Sequence, residues 1–310
     1  MTTGESPVVA RRRVRLTLRR AREAMEMTQG HVADEMEWSL SKVMRIENGD
    51  VSISGTDLRA LIGLYGISDR DVVTQLMEDA RISRKSVVVS AGKSGAGRPW
   101  WAESRIRSHL TTPLLQYVQF EADATAVRQY QNVLVPGFLQ TAEYATAVLD
   151  NYRLDLPPES VAVRAETRLQ RRRQVVERAD PPDVLVILDE SVLYREVGSR
   201  RVMGRQLRSL VTDASRPDGH VLIRIVPFAA AAPIALFGPF LILDFEDEEG
   251  AVLYRETHLV DELIHNAAMV SRHRQIFDQL WDLAYTTEQT ARMISERAEL
   301  MLQDSPLEHE

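Results

Sequence analysis

Near the start of the chain, two short helical patterns stand almost back to back, and their closeness constrains the fold more than any other feature. Thr28 can cap a helix over Gln29 to Met36, with Val32, Ala33 and Met36 on its inner face. Ser39 can cap the next, over Leu40 to Glu47, with Val43 and Ile46 facing in. Asn48-Gly49 then stops it, because both residues tolerate the left-handed conformation that ends helices. Only Glu37-Trp38 joins the two helices. So short a connection makes a sharp corner, the signature of a helix-turn-helix.

The neighbouring sequence supplies the rest of a small domain. Val14, Leu18, Ala21 and Met25 recur at helical spacing, so residues 13 to 26 read as an amphipathic helix with arginines on its other faces. Residues 56 to 65 (Leu58, Leu61, Ile62, Tyr65) and 68 to 80 (Val72, Val73, Leu76, Met77) read the same way. The expectation is an all-α five-helix domain over residues 1–81. Residues 82–99, rich in Ser, Gly and Lys, read as a flexible linker. From Trp100-Trp101 to residue 310 the patterns mix. Helices are expected over 102–110, 114–126, 141–152, 159–178, 191–197, 201–213, 260–284 and 288–301, and strands over 184–188, 221–226, 240–245 and 252–255. Asp247-Glu248-Glu249-Gly250 reads as a hairpin-like turn. The larger domain is therefore expected to be α+β.

The 310 residues carry a net charge of −7, which on average disfavours a polyanionic partner. The average conceals a division. Residues 11 to 48 hold nine basic groups (Arg11, Arg12, Arg13, Arg15, Arg19, Arg20, Arg22, Lys42, Arg45) against six acidic ones, a net +3 that leaves −10 for the remainder. The absence of cysteine removes disulfides, thiolate metal sites and thiol nucleophiles, and points to a cytoplasmic protein. No run approaches the ~20 apolar residues of a membrane helix, so no membrane partner is expected.

No catalytic pattern in the sequence is complete. Val87 to Ser94 ends like a phosphate-binding loop but has Val87 where the first glycine belongs. The seven histidines are scattered, and Asp189-Glu190 at a strand end has no nucleophile at a readable spacing. Asp244 to Glu249 lacks the alternating ligands of a calcium loop. Neither catalysis, a metal nor a cofactor is expected. Ala229 to Phe240 is an apolar loop equally suited to lining a pocket, docking a partner helix or forming a buried connection.

A helix-turn-helix presents its second helix to a DNA major groove. The outward positions here are Leu40, Ser41, Lys42 and Arg45. Arg and Lys read guanine edges, Ser donates or accepts, and Leu touches a thymine methyl. Gln29, in the first turn of the preceding helix, can reach a phosphate, with Arg19, Arg20 and the Arg11-Arg12-Arg13 cluster also available to the backbone. Residues 14 to 65 resemble the Xre, or lambda-repressor-like, family through Thr28-Gln29, Val32-Ala33, Ser39, Ser41-Lys42-Val43 and Arg45-Ile46-Glu47-Asn48-Gly49. By that resemblance Leu40, Ser41, Lys42 and Arg45 face bases, Gln29, Ser39 and Asn48 face phosphates, and Glu47 forms a structural ion pair with Arg22. The departure is Glu37, where the family's turn usually carries Gly. A non-Gly residue at positive φ is expected there.

After the linker, Trp100-Trp101, Glu121-Ala122, Tyr130-Gln131, Val135-Pro136-Gly137-Phe138-Leu139-Gln140-Thr141, Tyr144-Ala145, Leu188-Asp189-Glu190, Val226-Pro227-Phe228 and Val252-Leu253-Tyr254 follow in order. Together they resemble the C-terminal domain of WhiJ-like actinomycete regulators. The resemblance implies a transcription regulator of double-stranded DNA, working as a homodimer and with a small acidic partner protein. Two alternatives stand beside it: an antitoxin-like protein that sequesters its partner and binds DNA only to regulate itself, and a ligand-sensing repressor. From the residues alone, a domain of this size exceeds what DNA binding requires, which leaves dimerisation, partner docking or ligand sensing as its task.

Overall fold

The computed structural model describes residues 6–49, 51–84, 99–150, 157–230, 238–246, 250–256 and 261–303. The chain divides into two compact units, one of residues 1–103 with the short stretch 265–267, the other of the remainder. The readings of a linker over 82–99, of Val87 to Ser94 and of the 247–249 turn fall largely or wholly outside the described residues, as does most of the apolar loop from Ala229.

The N-terminal unit is helical: α1 (Pro7–Ala24), α2 (Gln29–Glu35), α3 (Leu40–Asn48), α4 (Gly55–Leu64) and α5 (Arg70–Arg84). Its core gathers Val14 and Leu18 of α1, Val32 and Ala33 of α2, Val43 and Ile46 of α3, Leu58 and Leu61 of α4, and Leu76 and Ala80 of α5. Helix α1 begins six residues before the expected start, because Ser6 caps it and Pro7 occupies its first turn, where a missing N–H does no harm. It also ends earlier, so Met25 is 51% exposed instead of belonging to the inner face. Helix α5 continues past Ala80, with Ile82 and Ser83 buried in its last turn.

Three of these helices end in the same way. After α1, Met27 N–H donates to the Arg22 carbonyl (3.1 Å) and Glu26 N–H to the Glu23 carbonyl (2.9 Å). After α2, Trp38 N–H donates to Ala33 (2.8 Å) and Glu37 N–H to Asp34 (3.2 Å), and after α4, Ile67 N–H donates to Ile62 and Gly66 N–H to Gly63. This double closure places one residue in the left-handed region. Glycine fills that place at Gly66 (φ +63°), but glutamates fill it at Glu26 (φ +55°) and Glu37 (φ +53°).

The second unit holds a six-stranded sheet among the described residues, built from β1 (Ala126–Gln131), β2 (Asp183–Asp189), β3 (Val221–Val226), β4 (Phe240–Asp244), β5 (Val252–Arg255) and β6 (Glu262–Ile264). Their spatial order is β3-β2-β1-β4-β5-β6. Strands β1, β2 and β3 run parallel, while β4, β5 and β6 continue the sheet antiparallel from the other side of β1. Helices α6 (Ser104–His109), α7 (Thr112–Asp123), α8 (Ala142–Asp150), α9 (Pro158–Val175), α10 (Arg200–Ala214), α11 (Ala267–Leu283) and α12 (Thr287–Gln303) complete it. Tyr130, Ile187, Phe240, Ile242 and Leu253 of the sheet pack with Val270, Ile276, Phe277 and Leu280 of α11. Helices α10 and α12 pack on each other and on β3. Among the described residues no helix is long and apolar enough to cross a membrane.

Two strands were not expected. Helix α7 stops at Asp123 because Ala124 turns extended (ψ 141°), and β1 follows at once. β1 carries Arg128, Gln129 and Gln131 among its six residues, so it presents no apolar run for sequence patterning to detect. β6 occupies the start of the expected 260–284 helix, drawn into the sheet by pairing with β5. The expected helix over 191–197 is a 3₁₀ turn at Glu190–Leu193, and α9 ends at Val175, before Arg178.

Candidate nucleic-acid interface

The corner between α2 and α3 depends on caps at both ends. Thr28 Oγ1 accepts from His31 N–H (3.1 Å) and Ser39 Oγ from Lys42 N–H (3.2 Å), so each helix starts with a satisfied donor. Helix α3 closes on Gly49 at φ +78°, where an added Cβ would lie 2.9 Å from Arg15 Cδ. Only glycine suits that end on both counts.

One carboxylate ties three helices together. Glu47, in the last turn of α3, accepts from Arg22 Nε (2.7 Å) and Nη2 (3.1 Å) of α1, and from Gln29 Nε2 (2.8 Å) of α2. Arg22 Nη1 also donates to the Met27 carbonyl (2.7 Å), which ties the link between α1 and α2 into the same joint. Both charged side chains are buried, Glu47 at 6% exposure and Arg22 at 9%. The hydrogen bond to Glu47 raises the Arg22 pKa against the opposing effect of burial. Tyr65 lines the same region, and burial, reinforced by Glu47, pushes its phenol up to about 12.

The residues expected to read DNA divide into two groups. Leu40, Ser41, Arg45 and Asn48 stand exposed on the outer face of α3, and the Arg45 guanidinium has no ion-pair partner among the described residues. Lys42 is held instead. Its ammonium lies 3.1 Å from Asp57 Oδ2 of α4 and 3.6 Å from the centre of the Trp38 ring. Gln29 is half-buried through its bond to Glu47, but the amide nitrogen has two hydrogens, and one remains for a phosphate. Met44 was not anticipated. It is 42% exposed, one helical turn from Leu40, which is 48% exposed. The i, i+4 spacing from Leu40 was the available signal.

The arginine-rich stretch offers less to phosphates than its charge count implies. Arg12 is buried at 4% exposure, and Asp79 of α5 binds Arg13 bidentately, at 3.0 Å to Nε and 2.6 Å to Nη2. Arg19 pairs with Glu23 at 2.9 Å. Part of that basic charge therefore ties α1 to α5 or is neutralised within α1 itself.

Glu37 sits at the corner itself. A side chain held in the left-handed region costs about 1–2 kcal/mol, whereas glycine adopts it freely and loses only unfolded-state entropy. Glu37→Gly should therefore stabilise the domain by about 0.5–1 kcal/mol in denaturant unfolding. A net loss of stability would mean that Glu37 makes an offsetting interaction.

In the second unit, the segment Val135 to Tyr144 is a hydrogen-bonded clamp with Phe138, Leu139, Gln140 and Tyr144 buried. Tyr144 Oη accepts from Val135 N–H (3.2 Å), Gln140 Nε2 donates to the Val135 carbonyl (2.8 Å), and the fully buried Gln206 donates to Leu139 and accepts from Thr141 N–H. A Cβ on Gly137 would lie 3.0 Å from Arg171 Nη1. Arg171 in turn binds Glu121 through Nε (2.8 Å) and Nη2 (2.7 Å), and Tyr117 Oη donates to the same carboxylate. Tyr254 stacks on Tyr117 at 4.4 Å. Burial alone would lower the Arg171 pKa, but the Glu121 charge more than offsets it and the pKa is raised. The two carboxylates at the end of β2 also have structural partners: Asp189 accepts from Ser191 N–H and Glu190 from Phe228 N–H.

A family model described as a helix-turn-helix domain matches residues 13–76, and one described as a domain of unknown function, DUF5753, matches residues 114–296. No curated protein and no solved structure matches the chain.

Proposed function

The chain belongs to the DUF5753 family, and from that premise and the geometry of α2 and α3 we propose that it is a sequence-specific, DNA-binding transcription regulator of the Xre type, cytoplasmic and without catalytic function. One observation carries this reading. The outer face of α3 is presented by a cap at each end and by the Arg22–Glu47–Gln29 joint, and it exposes Ser41 and an Arg45 without an ion-pair partner among the described residues. In the groove Arg45 takes a guanine edge and Ser41 an adjacent base, while the Ser39 hydroxyl, Asn48 and the second Gln29 N–H meet phosphates. Lys42 exchanges Asp57 for a phosphate.

Fluorescence anisotropy of the full chain on a selected duplex tests this. Arg45→Ala should weaken the specific complex by ~1–3 kcal/mol and relax the preference at one position. An equal loss on random duplex would contradict the role. The slope of log affinity against log salt should steepen by about 0.9 for each phosphate neutralised.

The C-terminal domain is proposed to control that activity by docking a small partner protein. An exposed aromatic pair favours this over ligand sensing: Phe228 is 64% exposed and Tyr194 48%, their ring centres lie 5.9 Å apart, and Arg297 stacks on Tyr194. Aromatic side chains are enriched at protein contacts. Homodimerisation on half-sites one DNA turn apart belongs to the same proposal. Salt-resistant co-purification of a small protein supports it. A small molecule that raises the melting temperature and weakens DNA binding would favour the repressor reading instead.

A further inference from the structure

We infer that α3 reads thymine methyl groups, through Leu40 and Met44 acting as a pair. The inference rests on the proposed DNA-binding role and specifies what that role selects. Leu40 and Met44 are the two large apolar side chains on the exposed face of α3, at 48% and 42% exposure, and they lie one turn apart on the same side of the helix. The core of this unit takes the other face of α3 through Val43 and Ile46, so neither exposed residue is needed there. Ser41 and Arg45 follow each of them directly in sequence, which gives the face alternating apolar and hydrogen-bonding groups.

Duplex DNA matches that pattern. On the edges of bases in the major groove the one apolar group is the C5 methyl of thymine, and hydrogen-bonding atoms surround it. Four residues of helix rise ~6 Å, and successive base pairs lie ~3.4 Å apart. Two side chains four residues apart therefore meet methyl groups about two base steps apart. In the free protein Asp57 and the Trp38 ring hold the Lys42 ammonium, which leaves the Leu40 and Met44 side chains uncovered by it. The site should thus contain two thymines about two steps apart, on either strand, beside the guanine read by Arg45.

The test uses the full chain and a binding site selected from random duplex. Each thymine is replaced in turn by deoxyuridine, which removes the methyl and leaves every hydrogen-bonding atom in place. Two replacements about two steps apart should each weaken wild-type binding about fourfold, the worth of one buried methyl. Leu40→Ala should abolish sensitivity at one of these positions and Met44→Ala at the other. Both residues are exposed and alanine favours helix, so the variants should keep wild-type circular dichroism and melting. Specific binding with no deoxyuridine effect overturns the inference and leaves the DNA-binding reading intact, as does sensitivity that persists in both alanine variants. Failure to retain or select any duplex at low salt overturns the DNA-binding reading itself. A partner protein whose capture depends on Leu40 and Met44, with duplex affinity unchanged in both variants, would assign the face to protein contact and likewise overturn the inference.

Discussion

Glu47→Ala should lower the unfolding free energy of the helical domain by about 3–5 kcal/mol, because it leaves the Arg22 guanidinium buried without its counter-charge. Arg22 would keep the Met27 carbonyl and a part-buried, longer contact to Glu23 (3.4 Å), too little to replace a bidentate carboxylate. Gln29 would lose its partner as well. Such a loss is a large share of the 5–15 kcal/mol that holds a typical domain folded. Paired replacement by apolar residues of similar volume, Arg22→Met with Glu47→Leu, should recover most of it, since no charge is then stranded. Denaturant unfolding of the full chain and both variants measures this. A single variant that unfolds at the wild-type midpoint would show that the joint adds nothing to stability. Because Gln29 and α3 share this carboxylate, the single variant should also lose DNA affinity, whereas the double variant should regain folding before affinity.

Arg171→Met should cost about as much, ~3–5 kcal/mol, in the other unit. It strands Glu121, which is completely buried and whose remaining partner is the Tyr117 hydroxyl. The damage should spread further than at Glu47, because Arg171 also fills the space over Gly137 and lies against the Tyr117 and Phe138 rings. Gly137→Ala should act in the same direction and more weakly, as the guanidinium is pushed from a contact that is already close. Loss of near-ultraviolet signal from the tyrosine stack at a denaturant concentration where wild type is intact would report it. If Arg171→Met unfolded with the wild-type midpoint, the buried pair would be a neutral substitute for apolar packing.

The sequence made some of these features legible and hid others, for identifiable reasons. Thr28, Ser39 and Gly49 act locally, through hydrogen bonds within three residues or through their own φ, so the corner and the bounds of α3 could be read directly. The 3.6-residue period likewise revealed the inner faces of α2 and α3. What escaped depended on partners distant in sequence. β1 is a strand because β2 and β4 flank it, although half its residues are Arg or Gln. β6 falls inside an expected helix because three half-buried residues carry almost no pattern without β5 beside them. The Lys42–Asp57 pair is hidden for the same reason, Asp57 lying on another helix. The arginines of α1 were counted as free charge for the same reason, Asp79 lying far along the chain from Arg13. Met44 was overlooked on different grounds. An apolar residue on a helix is read by default as core, and only its position opposite Val43 and Ile46 shows that it faces outward.

The position of β1 sets the order in which a growing chain can acquire structure. Ala126 pairs with Asp183 on one side and with Asp244 on the other, so the middle of the sheet waits until much of the chain beyond it has been synthesised. The five N-terminal helices find one another within residues 7–84, although α1 and α5 meet across most of that length, and the part of a chain synthesised first generally folds first. On the ribosome α3 is therefore complete well before the domain proposed to govern the chain's activity. A polypeptide released early by a premature stop codon would carry the α3 face without the domain proposed to govern it.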